Sequence, residues 1–263
     1  MEIVSVINQK GGVGKTTTAI NLAAGLSQLK KKILVIDLDP QGNATTGLGL
    51  SNLDNSSDTI YGVLNGSKEI SQVIKKTKFD NLDIIVSNVD LSGLEIETAD
   101  DTNRAFILKA KLASYLNDSG GYDYVFIDCP PSLSLLTIMA LVASDTVIIP
   151  LQTEFFALEG VSQLIKTIER VKENLNKNLL IQGVILTMYD RRNKLSGQVE
   201  QEARKYFGTK VYKTVIPRNV RISEAPSHGM PVIVYDRNSS GSVAYQELSN
   251  EILNQKDEGN FAA

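Results

Sequence analysis

Between positions 10 and 17 the residue types and spacing suit one task, holding phosphate: Lys10-Gly11-Gly12-Val13-Gly14-Lys15-Thr16-Thr17. Glycines let a chain curl tightly enough for successive N–H groups to converge on an anion, and the N-terminus of a following helix adds positive potential. At this spacing Lys15 reaches the β- and γ-phosphates of a nucleotide and the Thr16 hydroxyl joins a Mg²⁺ shell. A Gly-rich turn alone is a weak signal. Glycines plus Lys-Thr, set between an apolar run at 3–7 and a helical pattern from Ala19, form a specific one. The match to G-x-x-x-x-G-K-[ST] is incomplete, because Gln9 stands at the first glycine position and an extra lysine, Lys10, stands at the front.

Carboxylates close two other apolar runs. In Ile33-Leu34-Val35-Ile36-Asp37-Leu38-Asp39-Pro40, alternation puts Asp37 and Asp39 on one face and Pro40 ends the strand. A carboxylate there can orient water for in-line attack on a γ-phosphate, or it can be a capping or turn residue. Tyr124-Val125-Phe126-Ile127-Asp128 ends in an acid suited to hold Mg²⁺ through water. Cys129 cannot build a disulfide framework or a multi-cysteine metal site and reads as a small buried residue. His228 sits in a Pro- and Gly-flanked loop without partner ligands, which suits a structural or surface role.

The elements that position these groups follow from the β-branched runs at 3–7, 33–36, 82–86, 124–127, 146–149, 180–186, 211–216 and 232–234, with helical patterns between them. Such runs are buried on both faces, so the expected fold is a single α/β P-loop domain, a mainly parallel twisted sheet with helices on both sides. Chemistry in such sheets sits at the carboxyl ends of the strands. The domain is expected over 1–253, with a loop at 51–57 and a fraying polar tail over 254–263. The chain starts directly on a strand-like run, and no apolar run approaches the ~20 residues that span a bilayer, so a soluble cytoplasmic protein is expected. The net charge of −3 is unevenly spread: residues 166–221 hold 13 Lys/Arg against 5 Asp/Glu. That basic third is either a solvated face or a focused anion-binding surface.

Taken together, Lys10-Gly11-Gly12-Val13-Gly14-Lys15-Thr16 resembles the deviant Walker A loop, K-G-G-x-G-K-[ST], of the ParA/MinD class of ATPases. The segments Asp39-Pro40-Gln41-Gly42-Asn43-Ala44-Thr45, Asp128-Cys129-Pro130-Pro131-Ser132, Ala157-Leu158-Glu159-Gly160 and Val215-Ile216-Pro217-Arg218-Asn219-Val220-Arg221 look like the ParA/Soj partitioning ATPases. So does Glu224-Ala225-Pro226-Ser227-His228-Gly229. The resemblance implies ATP or ADP with Mg²⁺ as ligands, and a homodimer closed around ATP in which Lys10 contacts the partner's nucleotide. It assigns hydrolysis to Asp39 together with Lys10 and Lys15, Mg²⁺ to Thr16, Asp39 and Asp128, and the remaining phosphate contacts to residues 11–17. Pro217 and Asn219 match the place where the family holds adenine, with a strand-terminating turn as the lesser alternative. Non-specific duplex DNA is expected at Arg192 and Arg221, among a wider basic set of Arg191, Lys194, Arg204, Lys205, Lys210, Lys213 and Arg218. A ParB-type centromere-binding partner is expected to stimulate hydrolysis, with the protein on the nucleoid. Since the loop begins at Lys10, the short chromosomal-type form is expected, without the helix-turn-helix domain of larger plasmid members. Two other readings share the loop: a MinD-like membrane-positioning ATPase, disfavoured by Glu247 and Glu251 in the last helical pattern, and a metabolic ATP-dependent ligase or kinase.

Overall fold

The computed structural model describes residues 1–50, 58–119, 121–155 and 157–257, so the expected loop at 51–57 and the last six residues of the expected tail lie outside the described residues. Seven strands are present: β1 Glu2–Val6, β2 Ile33–Asp37, β3 Ile74–Lys76, β4 Leu82–Ile85, β5 Tyr124–Asp128, β6 Thr146–Gln152 and β7 Leu180–Thr187. They form one sheet in the order β3-β4-β2-β5-β1-β6-β7, parallel throughout except for the β3–β4 pair. The helices are α1 Lys15–Gln28, α2 Asn43–Gly47, α3 Ile60–Leu64, α4 Ile70–Val73, α5 Leu94–Glu97 and α6 Ile107–Ser119 in the first half. The second half adds α7 Leu135–Ala143, α8 Ala157–Asn174, α9 Lys194–Phe207, α10 Val220–Glu224, α11 Val232–Tyr235 and α12 Ser240–Asp257.

Successive strand residues point to opposite faces, and the core divides accordingly. Leu34, Ile36, Val125 and Ile127 enter one apolar cluster with residues of α6, α7 and α8, whereas Ile33, Val35, Tyr124 and Phe126 enter a second with α1, α11 and α12. Every residue of β1, β2 and β5 is buried, which is why these runs, Glu2, Ser5 and the two terminal acids aside, are apolar rather than alternating. The chain leaves β1 toward β2 on one side and leaves β5 toward β6 on the other. The crevice between the carboxyl ends of β1 and β5 is therefore the topological switch point where such sheets bind ligands.

Two expected strands are absent. Residues 211–216 make only isolated bridges, Val184 with Val211 and, just beyond, Tyr189 with Pro217. Side chains claim the backbone groups that a ladder would have used. Arg204 donates to the carbonyls of Val211 and Tyr212 at 3.3 and 3.2 Å, and the Glu251 carboxylate accepts from the N–H groups of Lys213 and Thr214 at 2.6 and 2.9 Å. Residues 232–234 form the single helical turn α11 instead of a strand. Pro231 sets the turn's entry and the Val232 N–H donates to the Asn21 side chain at 2.7 Å, and a short apolar run fits either state. The unanticipated β3 is a lysine-bearing antiparallel edge strand, a form that discourages further strand addition. Helix α12 continues to Asp257, into the expected tail.

Candidate nucleotide site

The phosphate loop runs from the end of β1 into α1. Gly12 and Gly14 take φ values of 75° and 90°, a region that favours glycine, and Gly14 is the N-cap residue of α1. Outside contacts fix the curl: the Thr187 hydroxyl donates to the Val13 carbonyl at 2.8 Å, and the Gln9 side chain donates to the Gly160 carbonyl at 2.6 Å. Asn8 donates to the Pro150 carbonyl at 2.7 Å and accepts from the Lys10 N–H at 3.0 Å. The position that departs from the standard loop, Gln9, is thus a tether to the start of α8.

Lys15 is buried, and its ammonium donates to the Lys10 carbonyl at 3.1 Å. Burial lowers its pKa, opposed by the charges of Asp128, Cys129 and Asp39. The Lys10 side chain faces outward. It is 43% exposed and pairs with Glu154 at the surface, so its charge is held away from the cavity its own loop lines.

The three acids have different environments. Asp37 and Asp128 stand directly opposite in the β2–β5 register, both fully buried. Asp37 is saturated: it accepts from the Thr45 N–H at 2.8 Å, the Thr45 hydroxyl at 2.7 Å and the Asp39 N–H at 3.2 Å. Burial nevertheless pushes its carboxyl up to about 6. Neither oxygen of Asp128 has a hydrogen bond of good geometry. Burial and then the Asp37 charge raise its pKa, with the Thr16 hydroxyl and Lys15 opposing. A buried carboxylate without partners beside a threonine hydroxyl suits a hydrated cation, so the residues fit Mg²⁺. Among the described residues no group of three or more His, Cys, Asp or Glu is placed to hold a metal ion. Asp39 is buried at the cavity wall and accepts from the Gln41 N–H at 3.0 Å.

Two adjoining cavities extend from the loop. One of about 450 Å³ is lined by Gly11, Gly12, Gly14, Lys15, Thr16, Thr17 and Asp39 and closed by α2 and the Pro226–Ser227 turn. The other, about 320 Å³, is lined by Ile216, Pro217, Asn219, Ile222 and Tyr245 and shares Gly14, Thr17, Met188 and Pro226 with the first. Asn219 is brought to the second cavity, but its side chain caps α10, accepting from the Arg221 N–H and donating to Ser240 Oγ, both at 2.8 Å. Three features near the site go beyond the sequence reading. Met188 adopts φ 52° where the cavities meet, Glu154 holds Lys10, and Gly229 abuts Gly49, where an added Cβ would lie 2.7 Å from the Gly49 Cα. Only a lysine preceding a Gly-rich loop hinted at an acid nearby.

The expected DNA contacts, Arg192 and Arg221, are both exposed. Arg192 makes a bidentate pair with Asp190, both bonds 3.0 Å, and Arg221 pairs with Glu224 at 2.8 Å and Asp236 at 3.4 Å. Arg204 belongs to the fold, being held by Glu200 and the Val211 and Tyr212 carbonyls, so it leaves the set of free cations. His228 stacks on Tyr235, and Cys129 is buried with its thiol pKa pushed up by burial.

The AAA domain family matches residues 1–181. Chromosome partitioning protein ParA of Caulobacter vibrioides is 51% identical over 256 residues, 97% of this chain and 95% of its own. Sporulation initiation inhibitor protein Soj of Bacillus subtilis is 51% identical over 251 residues, 95% of this chain and 98% of its own. The structure also resembles cobyrinic acid a,c-diamide synthase from Mycobacterium smegmatis solved with an ATP analogue and magnesium, at TM-score 0.84 and 34% identity over 98% of this chain and 97% of that one. With such identity along nearly its whole length, and a phosphate loop, paired strand-end acids and adjoining cavities at the sheet's switch point, the chain belongs to the ParA/Soj family of chromosome-partitioning ATPases.

Proposed function

We propose that this ATPase is a nucleotide-switched DNA-partition protein: ATP closes two copies over shared nucleotides, the pair holds duplex DNA without sequence preference, and a ParB-type partner stimulates hydrolysis and release. The observation that carries the proposal is the placement of Lys10. A lysine serving its own nucleotide would line its own cavity, whereas Lys10 points outward and rests on Glu154. Released from Glu154, it is available to a second copy's γ-phosphate, as an arginine finger is.

Within one copy the loop N–H groups and Lys15 bind the phosphates, and Asp39 orients the attacking water. Asp37 supports the Asp39 segment through Thr45. Asp128 and Thr16, with Asp39 at the same wall, would hold Mg²⁺, which neutralises charge on the β- and γ-phosphates when bound. The base lies against Ile216, Pro217 and Ile222, with Asn219 on the same lining, its amide held in place by capping α10. DNA affinity comes from summing two basic surfaces, each too sparse alone, so dimerisation converts ATP occupancy into avidity.

Membrane targeting is disfavoured by α12. It packs on α1, and Glu251 is used inside the fold, while no helix among the described residues is long and apolar enough to cross a bilayer. The synthase likeness keeps a metabolic reading as the alternative outcome. Size measurement and salt-dependent DNA binding, for wild type, Asp39→Ala and Lys10→Ala with ADP or ATP, separate the two. Asp39→Ala with ATP should accumulate as a DNA-bound dimer, and Lys10→Ala should stay monomeric with weak DNA affinity. An Asp39→Ala protein that remains monomeric and off DNA with ATP, or a fast DNA-indifferent turnover that needs a small metabolite, overturns the partition reading.

A further inference from the structure

A third cleft, about 840 Å³, opens on the far side of the Pro217–Asn219 segment, between the turn after β7 and the first turns of α12. Its lining combines cationic and apolar groups with two carboxylates, Asp190 and Glu247, so three arginines outnumber two acids. Arg191, Arg192 and Arg218 bring three guanidinium groups, and Val215, Val220 and Val243 bring an apolar surface. Val220 and Val243 are 71% and 42% exposed, unusually open for branched aliphatic residues beside a concavity. Arg192 is neutralised by Asp190, but among the described residues neither Arg191 nor Arg218 is held in an ion pair. The Tyr189 ring, on the same lining, is anchored by its hydroxyl, which donates to Glu200 at 2.6 Å.

We propose that this cleft is a second ligand site, separate from the ATP site, for a nucleoside phosphate. Planar guanidinium forks select phosphate oxygens and also stack on rings, and an apolar wall with a fixed aromatic accommodates a base. The volume lies within the ~300–1,000 Å³ typical of small-molecule sites. Duplex DNA reads a protein through its outer phosphates and cannot fill a concavity of this kind, so the free mononucleotide is the better occupant. The cleft shares Pro217, Arg218 and Asn219 with the base cavity, so each site feels occupancy of the other through one segment. A nucleotide in the cleft also occupies Arg192. On the partition reading given above, on which this consequence rests, it competes with DNA.

The test uses the full chain saturated with ADP and Mg²⁺, with GTP as the probe in equilibrium dialysis and inorganic triphosphate and guanosine as half-ligands. One GTP per chain should bind without displacing ADP, more tightly than either half-ligand, and in parallel samples holding ATP in place of ADP it should lower DNA binding at low salt. Arg191→Ala and Val243→Asn should each weaken GTP at least tenfold and leave ADP affinity unchanged, which also reports that both variants are folded. The proposal is overturned if GTP binds only by exchanging with ADP, or if triphosphate binds as tightly as GTP, the mark of a diffuse basic surface. ATP-dependent DNA binding by wild type is measured alongside. If it is present while GTP fails to bind, only the cleft inference falls; if it is absent, the partition reading falls whatever GTP does.

Discussion

Asp37 and Asp128 illustrate how much depends on single residues at the strand tips. Both are ordinary acids in sequence, yet one is saturated by donors and the other has no hydrogen bond of good geometry. Because Asp37 has its carboxyl raised to about 6 against 3.8 for an unperturbed group, the folded chain binds more protons than the unfolded chain between those values. Stability therefore falls as pH rises through that window, and the raised Asp128 adds in the same direction. Without nucleotide or Mg²⁺, chemical denaturation should show wild type more stable near pH 4 than pH 7. Asp37→Asn should flatten that slope. An unchanged slope would mean that Asp37 is ionised throughout. The two carboxylates were legible as strand-end acids, but their division of roles was not, since it depends on Thr45, six residues beyond Asp39.

At the scale of elements, the α2 and Pro226–Ser227 walls of the phosphate cavity are joined just behind it, where the turn after α2 meets the turn after α10. Gly49 and Gly229 touch there, at φ 84° and 59°, with no room for a side chain at Gly229. Gly229→Ala should cost about 1–2 kcal/mol from backbone conformation alone, with more from the clash, and should weaken nucleotide binding. Urea denaturation with a nucleotide titration measures both, and a loss confined to stability would show that this contact does not shape the cavity. The parallel strands were readable because burial on both faces leaves a continuous apolar run. The runs at 211–216 and 232–234 carry the same composition, and their fate was decided by Arg204, Glu251 and Asn21 from elsewhere in the chain. Periodicity contains no trace of such partners.

Across the whole molecule, the acidic total hides a basic third, and the structure divides that third further. Arg204 is structural, Arg192 and Arg221 are each covered by acids, and the Arg192 pair holds the Asp190 carboxyl down to about 2. The charge imbalance was plain from counting residues, but which cations are free depends on acids two to fifteen positions away. Asp190→Asn retains an acceptor for the Arg192 N–H while removing the counter-charge. It should raise DNA affinity several-fold at low salt and steepen the log K against log[salt] slope by about 0.9 for one added phosphate contact. Affinity unchanged at every salt concentration would remove Arg192 from the DNA surface.

The tethers of the phosphate loop have a consequence for how the chain is made. All of the loop's own residues have been translated by position 18, yet Val13 is held by Thr187, 174 residues later, and Thr18 meets Tyr245 across 227 residues. A nascent chain on the ribosome thus carries the complete phosphate motif long before it has the walls that shape it. The walls that shape the nucleotide cavity are therefore completed only when synthesis is nearly finished.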